Sequence, residues 1–90
     1  MLDNNETLLP IGSVVILKEG TKKLLIYGRK QLLLKEDGPK MYDYVSCFYP
    51  EGHINADYTF VFNQADIHEV IFKGYVDEDE SKFVSEILGD

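Results

Sequence analysis

The feature that most constrains the fold is the division of the chain into short runs of β-branched and aromatic residues. Runs with the composition of strands occupy residues 13–17, 23–28, 41–49, 58–62 and 69–75. Gly, Pro and Asp-Gly sequences between the runs favour reversals of chain direction. A polar five-residue loop around Gly20 separates the first two runs, which is typical of a β-hairpin. The pattern therefore predicts an antiparallel sheet of about five strands.

The C-terminal segment has helical periodicity. Asp77 is a candidate N-cap with Glu80 three residues later, and the acidic residues 77–80 suit the positive end of a helix dipole. Apolar side chains recur on one helical face at Phe83, Val84, Ile87 and Leu88. A helix packed across an open sheet would bury this stripe; the alternative is that the stripe binds a partner protein. The predicted fold class is α+β: a curved, barrel-like antiparallel sheet with a C-terminal helix.

A chain of 90 residues is long enough for one domain only. We expect a flexible N-terminus over residues 1–7 and a single α+β domain over residues 8–90. Two alternatives stay open for the Leu-rich residues 31–34. They extend the second strand past a bulge at Gly28, or they begin a short strand of their own. Asp37-Gly38 then predicts a reversal before the next strand.

Net charge and hydropathy exclude some function classes. The chain carries 9 Lys and Arg against 16 Asp and Glu, a formal charge of -7, which opposes binding to nucleic acid. Its apolar runs are much shorter than the ~20 residues of a membrane-spanning helix, so no membrane insertion is expected. Residues 1–6 lack the basic and apolar regions of a signal peptide. These features predict a cytoplasmic protein.

Few residues offer catalytic chemistry. Cys47, His53 and His68 are the only candidates for a nucleophile and its base. Cys47 falls within a strand, where a free cysteine is usually a small buried hydrophobe. The sequence has no phosphate-binding loop, dinucleotide fingerprint or metal-binding spacing. We therefore predict a protein that is not an enzyme, with no catalytic, cofactor-binding or metal-binding residues and no cofactor. A hydrolase using Cys47 with His53 or His68 is the alternative.

Charge is unevenly distributed along the chain. Residues 18–40 hold seven basic and three acidic residues, whereas residues 63–90 hold eight acidic and two basic ones. This pattern fits either two solvated faces of opposite sign or a polarised surface that docks a protein partner.

The strand predicted at residues 41–49 has aromatic residues on one side. Alternation places Tyr42, Tyr44 and Phe48 together and puts Val45 and Cys47 on the opposite side, which is predicted to face the core. The aromatic side is predicted to be half-exposed, and Tyr in such a position provides a large contact area for a partner. The candidate protein interface therefore consists of Lys22, Lys23, Arg29, Tyr42, Tyr44 and Phe48.

The order of motifs resembles a small domain-of-unknown-function family of Gram-positive bacteria. The motifs that carry the resemblance are residues 9–15, Lys18, Gly20, residues 22–24, Gly28-Arg29, residues 42–44 and 49–52, Phe62-Asn63, Asp66-Ile67, Val70, Phe72 and Gly74-Tyr75. Members of that family occur in type VII secretion loci beside toxins with the LXG targeting domain. The resemblance implies an accessory role, as a chaperone or targeting adaptor that binds such a toxin or its helical targeting domain. The alternative is an immunity protein that neutralises the neighbouring toxin.

Overall fold

The computed structural model describes residues 8–88, which form a five-stranded antiparallel sheet and one C-terminal helix. The strands are β1 (Val14–Leu17), β2 (Leu24–Lys35), β3 (Gly38–Phe48), β4 (Thr59–Phe62) and β5 (Ile67–Phe72), and the helix is α1 (Glu78–Glu86). Short 3₁₀ helices at Ala56–Tyr58 and Gln64–Asp66 precede β4 and β5. The predicted α+β fold with a C-terminal helix is confirmed. The N-terminus predicted over residues 1–7 lies outside the described residues.

The sheet has the order β4-β3-β2-β1-β5 and is not closed into a barrel. Strands lie about 4.8 Å apart, so a flat sheet would separate its two edge strands by about 19 Å. Only residues 63–66 connect those edge strands, and three of these residues form a 3₁₀ helix, which rises about 2 Å per residue. The sheet must therefore be strongly curved, as predicted.

Strand β2 settles the alternatives left open for residues 31–34. It runs without interruption to Lys35, with a register shift against β3 between Ile26 and Gly28. A side chain at Gly28 would not fit, because an added Cβ would lie 2.6 Å from Val45 Cγ1. The Leu-rich segment thus extends the second strand past a bulge, which is the first of the two alternatives.

The core lies on one side of the sheet, which we call the inner face. Directly paired residues project to the same side, so the pairings of Val15 with Leu24, Ile26 with Ser46 and Tyr44 with Phe62 define this face. The buried apolar cluster comprises Leu8, Val15, Leu24, Ile26, Tyr44 and Phe62. The outer face carries Val14, Leu25 and Cys47, of which Val14 and Cys47 are also buried.

The prediction that the aromatic side of β3 is half-exposed is wrong at Tyr44. Tyr44 is 0% exposed and packs against Phe62, with ring centroids 5.4 Å apart. Its hydroxyl accepts a hydrogen bond from the Leu9 N–H at 2.8 Å and donates one to Gln64 Oε1. These two partners satisfy the phenol away from solvent, so the aromatic side of β3 is the core side at this position. Val45 and Cys47, on the other side, are buried as well.

Helix α1 begins as the sequence predicts. The Asp77 carboxylate caps it by accepting a hydrogen bond from the Glu80 N–H at 3.1 Å. Of its predicted apolar stripe, Val84 is buried and Leu88 packs against the core, whereas Phe83 and Ile87 are exposed. Within residues 8–88, no helix combines the length and hydrophobicity needed to cross a membrane.

Candidate interaction surfaces

The six residues predicted to form one interface do not share a surface. Lys22 and Phe48 are neighbours, with the Lys22 ammonium 5.4 Å from the centre of the Phe48 ring. Phe48 is half-buried and packs on Phe60, with ring centroids 4.8 Å apart. Lys22 also forms an exposed ion pair with Glu51, and the hydrogen bond from Lys22 lowers the pKa of the Glu51 carboxyl.

Arg29 is a structural residue. Its guanidinium forms two hydrogen bonds to the Glu80 carboxylate, at 2.6 and 2.9 Å, and its side chain is only 5% exposed. It also donates to the Leu9 carbonyl at 3.2 Å and lies 5.5 Å from the centre of the Phe83 ring. These contacts tie α1 and the N-terminal end of the described chain to β2. Arg29 and the buried Tyr44 therefore lack the exposure expected of interface residues, and the interface role of the remaining four residues stays a prediction.

Cys47 lacks the surroundings of a nucleophile. It is 2% exposed, and burial raises the pKa of its thiol, which disfavours the reactive thiolate. Within residues 8–88 its sulfur makes no hydrogen bond to an imidazole; His53 instead packs edge-on against Tyr27, with ring centroids 6.0 Å apart. In the same part of the chain, no group of three or more His, Cys, Asp or Glu side chains is arranged to bind a metal ion.

We expect the Cys47 thiol in the folded protein to react with Ellman's reagent at pH 8 at least about tenfold more slowly than in concentrated urea. Burial and the raised pKa act in the same direction, since both reduce the accessible thiolate. The reaction is followed by absorbance, with the urea-unfolded protein as the reference. Equal rates in the two conditions would contradict the burial of this side chain.

An open apolar groove on the outer face is a surface that sequence reasoning missed. It has a volume of about 520 Å³ and is lined by Gly12, Val14, Lys23, Leu25, Tyr49, Ile71 and Phe72. Phe72 is 60% exposed, and Tyr49 and Ile71 are also exposed. We call this surface the outer groove. Of the predicted interface residues, only Lys23 lines it, and its ammonium adds a positive charge to the apolar lining.

The sequence did carry a signal for this groove. Val70, Ile71 and Phe72 are three consecutive apolar residues, and a strand with one buried face cannot bury all of them. Strand β5 lies at one edge of the sheet and pairs with β1 through two register shifts, and all three side chains are exposed. An unbroken apolar run in an edge strand therefore indicated an exposed apolar patch.

A second exposed surface is the two-stranded ribbon that projects beyond the sheet. Residues 31–35 of β2 pair only with residues 38–42 of β3, past the positions where β1 and β4 join the sheet. We call residues 31–42 the arm. Leu32 pairs with Met41 and Leu34 pairs with Pro39, so these four side chains share one side of the arm, and all are exposed.

The fold and these surfaces define a small, open-sheet α+β domain with exposed apolar surfaces and a buried thiol. The chain belongs to the family described as a domain of unknown function, DUF4176, which matches residues 8–83. This match confirms that the chain belongs to a family of domains of unknown function. No curated protein and no solved structure matches the chain.

Proposed function

We propose that this protein is a non-enzymatic accessory protein that binds a partner protein in its outer groove. The observation that carries the proposal is the exposed, continuous apolar lining formed by Tyr49, Ile71 and Phe72. Exposed apolar surfaces bordered by polar residues are typical of protein-binding sites. A groove of this kind accepts the apolar face of an amphipathic helix.

We propose further that the partner is a type VII-secreted LXG toxin or its helical targeting domain, and that the protein acts as its chaperone or targeting adaptor. This part of the proposal rests on the resemblance of the motifs to a family encoded beside such toxins. An amphipathic targeting helix would place apolar side chains against Ile71 and Phe72. Lys23 would orient it by pairing with an acidic residue.

Co-purification with the neighbouring toxin tests the proposed binding. We expect Phe72→Glu to reduce the retained toxin at least tenfold, because it places a carboxylate in the apolar lining. Tyr75→Glu is the matched control, since Tyr75 is an exposed aromatic residue three positions later that does not line the groove. Equal loss with both variants, or full retention of the toxin by Phe72→Glu, would overturn the assignment of the groove.

Deletion of the gene separates the proposed role from the alternative, an immunity protein. Loss of a chaperone or adaptor lowers the amount of toxin that is stable or exported and leaves the cells viable. Loss of an immunity protein makes the cells sensitive to the toxin. We expect the first result, measured by immunoblotting of toxin in cells and medium, and sensitivity with normal export would favour immunity.

A further inference from the structure

Helix α1 is attached to the sheet by few contacts. Among its described residues only Val84 is buried, and Leu88, just beyond its C-terminal end, packs against the core. Within residues 8–88, no backbone hydrogen bond joins α1 to a strand. A helix of nine residues is shorter than the ~12–15 residues that an isolated helix needs to be stable in water. The helix therefore forms only while it is docked, so detachment and unfolding of α1 are one event.

The docked helix does not pack closely on the chain beneath it. A cavity of about 210 Å³ lies between α1 and the segment before β1, with Leu8 and Pro10 on one wall and Ser81 and Ser85 on the other. Side chains that line such a gap lose the dispersion contacts that close packing provides. The connection from β5 to α1 is also exposed, since Tyr75 is 79% exposed. Few buried contacts and an exposed connection are typical of a segment that opens at a lower free energy than the rest of its domain.

The specific contact of α1 is its ion pair with β2. The Glu80 carboxylate accepts two hydrogen bonds from the Arg29 guanidinium, and this is the only ion pair of α1 within residues 8–88. Glu80 and Val84 are four positions apart, so they lie on one face of the helix. Arg29 belongs to β2 and also donates to the Leu9 carbonyl, so its position does not depend on α1 alone. We call the surface formed by Leu8, Pro10 and Arg29 the helix site.

We propose that α1 is a displaceable helix, which opens as one unit while the sheet stays folded, and that the helix site then binds a helix of a partner protein. The docked α1 shows what this partner carries. A glutamate pairs with Arg29, and an aliphatic residue four positions later lines the cavity beside Leu8. An acidic amphipathic helix meets both requirements. The helix site shares no residue with the outer groove, so this inference does not rest on the proposed function.

Hydrogen exchange followed by NMR on the full chain tests the opening. We expect the amides of residues 81–88 to have protection factors at least about tenfold lower than the paired amides around Ile26 and Ser46, and within about threefold of each other. Protection equal to that of β2 and β3 would show that α1 opens only when the whole domain unfolds. Protection that falls steadily toward residue 88 would indicate fraying from one end. Either result would overturn the proposal.

A labelled peptide with the sequence of residues 77–88 is the probe for the helix site, and fluorescence anisotropy measures its binding to the full chain. We expect the Glu80→Gln protein to bind it at least about tenfold more tightly than the wild type, because the protein's own α1 then competes less for Arg29. Glu86→Gln is the matched control. It should bind as the wild type does, since Glu86 is exposed and forms no ion pair within residues 8–88.

The same peptide carrying Glu80→Gln tests the contact with Arg29. We expect it to bind the Glu80→Gln protein at least about tenfold more weakly than the unmodified peptide does. Equal binding of the two peptides, equal binding by the wild-type and Glu80→Gln proteins, or no binding at about 1 mM peptide would overturn the helix site. In sedimentation velocity we expect the protein alone to be monomeric at about 100 µM. A dimer that Val84→Asp abolishes would assign the site to α1 of a second copy and overturn the proposed partner.

Discussion

Replacing Gly74 by alanine is expected to lower the free energy of unfolding by about 3 kcal/mol or more. An added Cβ would lie 2.2 Å from the Ile11 carbonyl oxygen and 3.1 Å from the Gly12 carbonyl carbon, so it would collide with backbone. The segment cannot move away freely, because the Gly74 N–H donates a hydrogen bond of 3.0 Å to the buried Ser13 hydroxyl. That hydroxyl in turn donates to the Pro10 carbonyl at 2.8 Å.

Urea unfolding followed by circular dichroism measures this effect, and Gly20→Ala is the control. The nearest atom to an added Cβ at Gly20 is the Leu17 carbonyl oxygen at 3.3 Å, and Gly20 does not have a positive φ. We expect a change within about 1 kcal/mol there, because reduced entropy of the unfolded chain offsets the contact. A Gly74→Ala protein as stable as the control would show that the segments around Ile11 and Gly74 do not approach so closely.

Removing the charge of Glu80 is expected to cost about 2–3 kcal/mol of stability in the Glu80→Gln variant. The substitution keeps the size of the side chain and leaves the Arg29 guanidinium, whose side chain is 5% exposed, without its anion. Leaving a buried charge unpaired destabilises the folded state by more than the intact ion pair stabilises it, so the expected decrease in the free energy of unfolding is large. The amide protons of α1 should also exchange faster with solvent, because the ion pair ties this helix to β2.

The exposed pair of Lys22 and Glu51 provides the matched control for this experiment. Both of its side chains are 44% exposed, so Glu51→Gln should change the free energy of unfolding by no more than about 0.5 kcal/mol. A double-mutant cycle with Arg29→Met isolates the coupling between Arg29 and Glu80. Equal effects of Glu80→Gln and Glu51→Gln would contradict a structural role for the buried pair.

Local chemistry in the sequence predicted much of the fold. The reversal at Asp37-Gly38 and the cap at Asp77 depend on side chains and backbone within a few residues, and both lie where predicted. The composition of each run identified all five strands, although β3 begins at Gly38, earlier than expected. Interactions of this range are visible in one sequence without knowledge of the packing.

The inner and outer faces of β3 could not be distinguished by the same reasoning. Tyr44, Val45, Ser46 and Cys47 are all buried, so neither side of this segment is exposed to solvent. An alternation of buried apolar and exposed polar residues, which would identify the core side, is therefore missing. The side facing the core is decided by distant partners, since Leu9 and Gln64 satisfy the Tyr44 hydroxyl and the Phe60 carbonyl accepts from the Ser46 hydroxyl at 3.0 Å. Partners so far away along the chain produce no periodic pattern in the sequence of β3.

The candidate sites show the same limit. A lysine such as Lys23 is visible in sequence as a surface residue, but the outer groove needs side chains from β1, β2 and β5. Likewise, the buried pair of Arg29 and Glu80 joins the second strand to the helix. The predicted interface counted Arg29 as a free cation because its partner lies far along the chain. The strands and the helix could be predicted from the sequence, whereas the contacts between them could be determined only from the structure.

The position of β1 between β2 and β5 has a consequence for synthesis of the chain on the ribosome. This strand emerges first, yet its neighbours in the sheet are β2 and β5, and Val15 pairs with Val70. Until residue 72 has left the exit tunnel, β1 lacks half of its hydrogen-bond partners. The sheet therefore cannot be completed until β5 has emerged. We expect a nascent chain stalled before β5 to be digested readily by protease, and one that includes β5 and α1 to resist digestion.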